Sequence, residues 1–275
     1  MDIGTGTADI GYFWAALLGL IQGLTEFLPV SSSGHLALIE HLGLGHEAPP
    51  AFDAFLHFAT LGVVLAYFRR SILWYWHNGR EAIWFAVAGT VPAALIGLAC
   101  KEFFEALRQS PAMICLGLLV TASALATAEM RKNPTLPLRD LGWSGAVVVG
   151  LFQALALAPG ISRSGLTIAG GMLCGTDRAE AFRFSFMLSI PAVLGAAGLH
   201  GLEMLRHGAP ADSFAGGTGI GPLLLGMAAA AAAGGFALAL LERLVVGGRL
   251  VWFAGYCCLA ALAGLVYFSL RATTS

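Results

Sequence analysis

Blocks of apolar sequence about twenty residues long, separated by short polar punctuation, constrain this chain more than any other feature. A hydrocarbon core about 30 Å thick is crossed by roughly 17–25 helical residues. Blocks at 52–68, 82–100, 111–129, 180–200, 220–241 and 250–270 meet that length. Apolar residues make up 57% of the 275 positions and charged residues only 11%. A soluble domain carries about a quarter charged residues to build its solvated shell, so a soluble fold is excluded. The expected fold is an all-α polytopic membrane domain with about ten helical segments, six of them full spans. The basic residues are scattered and the net charge is -1, so nucleic acid is not an expected partner. Nothing in Met1–Ile10 reads as a removable leader. The five cysteines show no CxxC or metal spacing and read as small buried hydrophobes.

Four shorter segments form two pairs, 12–28 with 34–44 and 142–158 with 165–175. Each pair is broken by Pro, Gly and serines, and each second arm is too short to cross. Irregular backbone at membrane depth survives only inside protein or against a water-filled cavity. Both pairs are therefore expected to be re-entrant, entering and returning on one side.

A gapless shift of 131 residues lays Gly19-Leu20-Ile21-Gln22 on Gly150-Leu151-Phe152-Gln153, and Ser31-Ser32-Ser33-Gly34 on Ser162-Arg163-Ser164-Gly165. The repeats run 12–130 and 142–271. One re-entrant pair plus three spans is an odd number of crossings, so the second repeat is expected to be inverted. Loop ends holding Arg69, Arg70, Arg80, Arg131, Lys132, Arg139, Arg178, Arg243 and Arg249 outweigh those holding Lys101, Arg108, Arg206 and Arg271. The positive-inside rule makes the richer side cytoplasmic. Both termini and the first re-entrant pair then face outward, and the second pair enters from the cytoplasm, so that the two tips can meet.

The chemistry-bearing residues cluster at those tips. Gln22 and Glu26, four apart, share one helix face, which Pro29 ends before Ser31-Ser32-Ser33-Gly34-His35. A carboxylate at membrane depth costs about 2.5–3.5 kcal/mol on insertion scales and is presumed functional. The second tip reads Pro159-Gly160-Ile161-Ser162-Arg163-Ser164-Gly165-Leu166-Thr167, with Arg163 the only basic residue between Arg139 and Arg178. A guanidinium fork, hydroxyls, close-approaching glycine backbone and free helix N–H groups suit a phosphate. Arg163 and Glu26 can also pair in the empty protein. His35 adjoins this group and is a candidate acid, base or nucleophile. His57 with Asp53 reads as a supporting pair, His41 and His46 as loop residues, and His200 and His207 as solvated.

These two segments resemble the undecaprenyl-diphosphate phosphatase family of the BacA type, marked by Glu/Gln-x-x-x-Glu and Pro-Gly-x-Ser-Arg-Ser-x-x-Thr elements. The run Gly23–His35 and the later Phe184-Ser185-Phe186-Met187-Leu188-Ser189-Ile190-Pro191 look like family sequence too. The resemblance implies an inverted-repeat bacterial plasma-membrane enzyme that removes the terminal phosphate of undecaprenyl diphosphate, recycling the cell-wall lipid carrier, with bacitracin resistance as the associated trait. Gln22 stands where some members have Glu, which concentrates the acidic role on Glu26.

By that resemblance Glu26, Ser32, His35 and Arg163 are the expected catalytic set. Gln22, Ser31, Ser33, Gly160, Ser162, Ser164, Gly165 and Thr167 are the expected substrate-binding set. A divalent cation, Mg2+ or Ca2+, with Glu26 as ligand is the expected cofactor, and the nucleophile is Ser32, His35 or water. The polyprenyl diphosphate lipid and the bilayer are expected partners, with a second copy of the chain as a candidate one. The rival reading is a lipid-phosphate transporter or flippase that uses the same site without cleavage.

Overall fold

The computed structural model describes residues 11–42, 50–131, 134–206 and 219–274. His46 and His207, Lys132 and the segment Met1–Ile10 lie outside them, as do the side chains of His200 and Arg206. The order is α1 (Tyr12–Phe27), α2 (Ser32–His41), α3 (Pro50–Asn78), α4 (Arg80–Ala99), α5 (Lys101–Arg108), α6 (Pro111–Met130), a 3-10 turn (Leu138–Asp140), α7 (Gly142–Leu155), α8 (Arg163–Leu173), α9 (Arg178–Arg206), α10 (Ile220–Val246) and α11 (Val251–Thr274). Among the described residues six helices (α3, α4, α6, α9, α10 and α11) are long and apolar enough to cross a membrane. Large side chains such as Leu98, Phe236, Trp252, Leu259 and Leu270 stand exposed on them. A water-soluble monomer rarely tolerates that much contiguous apolar surface; a bilayer requires it. The protein is a multi-pass membrane protein.

Three expectations need correction. Helix α3 runs ten residues past the expected end at 68, because Arg69 turns its guanidinium back to the Ala66 carbonyl at 2.6 Å and a Trp74–Tyr75–Trp76 run continues the helix. Aromatic and long basic side chains of this kind sit at the membrane interface rather than terminating a span. Helix α5 and the 3-10 turn add to the expected segments, since neither has an apolar block to announce it. Cys115 and Cys257 are buried as expected, whereas Cys100 is exposed at the end of α4.

The first and second arms of the two broken pairs are 16, 10, 14 and 11 residues long, too short to cross. Their packing is reciprocal: α1 packs chiefly on α10, and α7 chiefly on α4. Glycine makes both contacts possible. A Cβ on Gly19 would lie 2.2 Å from the Gly226 carbonyl oxygen, and one on Gly150 would lie 2.2 Å from that of Gly89. Small residues let membrane helices approach backbone to backbone, where packing rather than hydrophobicity drives association. The tips touch as well, Gly34 against Gly160 and Gly165 against Pro29. An aromatic cluster underlies them: Phe186 contacts Phe27, Phe68 and Phe182 at 5.7, 5.7 and 5.0 Å between ring centroids. Phe27 follows Glu26 directly, so this core anchors the end of α1 that carries the carboxylate.

Candidate active site

Each tip is organised by a serine cap. Ser31 accepts from the Gly34 N–H and Ser162 from the Gly165 N–H, both at 3.2 Å. The 131-residue repeat therefore has a local cause: in both halves a serine oxygen satisfies an amide that the start of a helix leaves unpaired. Before the first cap, Pro29 ends α1 and Ser31 takes a left-handed φ of +70°. That turn swings Ser32 round to face the end of the helix it has just left. The second tip uses Gly160, at φ +82°, for its own reversal.

Glu26, its side chain 7% exposed, is the hub. Arg163 pairs with Oε1, while Ser32 Oγ donates to Oε2 at 3.0 Å and Gln22 Nε2 to the same oxygen at 3.2 Å. The Gln22 amide also reaches His57 Nδ1 at 3.2 Å. The same amide nitrogen lies 3.4 Å from His57 Nε2, which faces Asp53 Oδ2 at 3.7 Å. His57 Nδ1 itself lies 3.7 Å from Glu26. Gln22 is thus a buried clamp between carboxylate and imidazole, and its Oε1 has no hydrogen-bond partner among the described residues.

Glu26, Ser32, Arg163, His57 and Asp53 line a cavity of about 380 Å³, with Gln22 buried behind them. Its floor is polar, built from Glu26, Ser32, Ser33, Arg163, Asp53 and His57. Its flank between α3 and α9 is apolar, with Ala54 and Phe58 facing Ala192, Val193 and Ala196. A small adjoining space adds Ser31 and Ser162.

Of the expected site residues, then, Glu26, Ser32, Ser33 and Arg163 reach the cavity, and Ser31 and Ser162 reach the small space beside it. The others stand behind it. Ser164 bonds to Ser162 and the Leu28 carbonyl, and Thr167 to the Arg163 carbonyl and Ser185. Gly160 and Gly165 serve the contact between tips. His35 points away, its ring held by the Ser31 carbonyl and by Tyr256. The histidine beside Glu26 is His57, which arrives from α3. Its signal in the sequence is the spacing Asp53-x-x-x-His57, one helical face near the start of a span.

Among the described residues no three His, Cys, Asp or Glu side chains form a metal cage. Two carboxylates, Glu26 and Asp53, do border one cavity. That donor set fits a hard cation that takes most of its oxygen ligands from a bound phosphate, and it does not fit a metal held by protein alone.

Fold and site together define an integral membrane protein whose two broken helices meet around an arginine, a carboxylate and a serine, beside an apolar slot. The family follows from comparison: the profile of the bacitracin resistance protein BacA family matches residues 15–263, and the chain belongs to that family. It is similar to the undecaprenyl-diphosphatase of Geobacter sulfurreducens, 41% identical over 270 residues that cover 94% of this chain and 98% of that protein. It is also similar to that of Rhodopirellula baltica, 42% identical over 258 residues with 93% and 97% covered. The Carboxydothermus hydrogenoformans protein of the same name is 41% identical over 250 residues, covering 89% and 92%.

Proposed function

We propose that this protein is a membrane-embedded phosphatase that hydrolyses undecaprenyl diphosphate to undecaprenyl phosphate and inorganic phosphate. The observation that carries the reading is the Ser32–Glu26–Arg163 constellation on the floor of a cavity with an apolar flank. A diphosphate suits the floor and a prenyl chain suits the slot between α3 and α9. The relatives' shared name is that of a hydrolase, which favours an enzyme over a lipid-phosphate carrier.

Ser32 is the nucleophile in this reading. Ser31 spends its oxygen on the helix cap, whereas the Ser32 hydroxyl points at a carboxylate able to take its proton. Oγ attacks the terminal phosphorus as Glu26 accepts the proton. The bond from phosphorus to the bridging oxygen breaks, undecaprenyl phosphate leaves, and the phosphoryl group rests on Ser32. Glu26 passes that proton to the bridging oxygen of the departing undecaprenyl phosphate, and the regenerated carboxylate deprotonates water, whose oxygen attacks phosphorus. The bond to Ser32 Oγ breaks, phosphate leaves, and Glu26 returns the proton to the serine oxygen. On substrate binding Arg163 exchanges its Glu26 contact for phosphate oxygens and stabilises the charge of the transferring group. Mg2+ or Ca2+ would be held by Asp53 and Glu26 together with substrate oxygens, and when bound it supplies neutralisation of the diphosphate charge.

The 131-residue repeat and the reciprocal packing support two inverted halves, with both broken pairs re-entrant. The cavity is lined by the beginning of α3 and the second half of α9. With the arginine-rich ends in the cytoplasm, those segments lie in the outer half of a bacterial plasma membrane, so the site takes its lipid from the outer leaflet. The test is phosphate release from undecaprenyl diphosphate by purified protein, with and without EDTA, beside Ser32→Ala and Arg163→Lys. EDTA-sensitive release that both variants lose supports the reading. No release from well-folded wild type sinks it.

A further inference from the structure

The turn that presents Ser32 is strained, and something outside the cavity holds it. Ser31 is the one non-glycine residue at positive φ among the described residues, a conformation disfavoured for residues with a Cβ and maintained only when surrounding contacts over-determine it. Its carbonyl, which leads directly into the Ser32 peptide, accepts two hydrogen bonds from His35: the backbone N–H at 3.1 Å and ring Nδ1 at 2.9 Å. A carbonyl oxygen only accepts, so Nδ1 bears the proton. In the neutral ring Nε2 is then an acceptor, and Tyr256 Oη donates to it at 2.7 Å. The two rings lie nearly parallel, 12° apart with centroids at 5.6 Å. The next residue of α11, Cys257, donates to the Pro29 carbonyl at 3.5 Å. Helix α11 therefore grips the first tip on both sides of its break. The second tip is gripped in the corresponding way by α6, where Thr121 accepts from the Ser162 N–H at 2.9 Å and donates to the Gly160 carbonyl at 3.2 Å.

We propose that Tyr256 is a positioning residue for the reaction: it locks His35 in the tautomer that ties down the Ser31 carbonyl, and so fixes the strained turn that aims Ser32 at Glu26. The proposal rests on the reading of Ser32 as nucleophile. It gives His35 a bracing task instead of proton transfer, since neither ring nitrogen is free to face the cavity. It also accounts for a histidine of α2 meeting, across 221 positions of sequence, a tyrosine hydroxyl on the apolar first half of α11.

The experiment compares wild type, Tyr256→Phe, His35→Ala, His35→Asn, the double variant Tyr256→Phe/His35→Ala, and Ser32→Ala. Melting in detergent is recorded for each as the check on folding. Tyr256→Phe keeps the stacked ring and loses one hydroxyl, so kcat is expected to fall about tenfold, the order of loss on removing an outer hydrogen-bond partner. KM stays within about twofold of wild type, because Arg163 and the cavity floor are untouched. The double variant is expected to be no worse than His35→Ala, because Tyr256 acts only through His35. Asn places a donor near the Nδ1 position, so His35→Asn is expected to regain activity over His35→Ala, which a proton-transfer role for the imidazole would not allow.

Wild-type kcat in Tyr256→Phe, beside an inactive Ser32→Ala, overturns the brace and leaves the phosphatase standing. Additive losses in the double variant, or a KM effect alone, overturn it too. Full activity in Ser32→Ala removes the nucleophile on which the brace depends. Should Tyr256→Phe fail to fold, the comparison of His35→Asn with His35→Ala decides between bracing and proton transfer in its place: equal activity in the two overturns the brace.

Discussion

Replacing Glu26 with Gln separates the two jobs that the proposed mechanism gives to one carboxylate. Gln has nearly the same volume, so the packing over Phe27 survives, and its one amide oxygen can replace only one of the two carboxylate oxygens that face Arg163 and Ser32. What disappears is the base and the negative charge. Loss of a general base typically costs about 10²–10⁴ in rate, or roughly 3–6 kcal/mol of barrier at about 1.4 kcal/mol per tenfold. Binding is expected to move the other way. Glu26 holds Arg163 in the resting protein and repels an incoming phosphate, and two unit charges about 4 Å apart interact by about 4 kcal/mol at an effective dielectric of about 20. Arg163 is 24% exposed, so solvent screens part of that. Removing the carboxylate frees the guanidinium for the diphosphate, and KM is expected to stay level or fall while kcat drops at least about a hundredfold. The assay is steady-state phosphate release over a substrate range, with the ratio of kcat to KM resolved into its parts. A kcat within about tenfold of wild type would refute Glu26 as the base. An unchanged kcat with a raised KM would make it a binding or cation-holding residue only.

The close helix contacts and the orientation supply two further tests. Gly19→Ala and Gly150→Ala each place a Cβ 2.2 Å from a carbonyl oxygen on the facing helix, so both are expected to lose about 1–3 kcal/mol of stability, read as lowered melting in detergent; a control at Gly255, where an added Cβ would meet none of the described residues within 4 Å beyond its own stretch of helix, should be near neutral. Cys100 is exposed at the end of α4, opposite the arginine-rich loops, whereas Cys115 and Cys257 are buried. A membrane-impermeant maleimide applied to intact spheroplasts is therefore expected to label Cys100, and its protection until the membrane is opened would reverse the assigned orientation.

Much of the site is legible in the sequence because the relevant instructions are local. Pro29 stops a helix wherever it stands, Ser31 and Ser162 cap the next helix through an amide three residues on, and Gln22 reaches Glu26 across one turn. The serines are less uniform than their run implies. Ser32 meets the carboxylate, Ser31 is spent on the cap, and Ser164 and Thr167 hold backbone behind the cavity. His35 is near Glu26 in sequence and His57 is not, yet the fold exchanges their surroundings. Helix α3 carries His57 to Glu26, while one turn of α2 carries His35 away toward Tyr256.

By itself the sequence determined what hydrophobicity and short-range geometry dictate: a membrane solvent, six spans, two breaks, and a buried acid and arginine that had to find company. Only the tertiary structure decided which groups those breaks would join. The pairing of Arg163 with Glu26, the approach of Gly19 to Gly226 and the hold of Tyr256 on the Ser31 turn each bridge more than a hundred residues. No local periodicity encodes such a separation. Those contacts exist because two halves pack on each other, and which surfaces meet is a property of that packing.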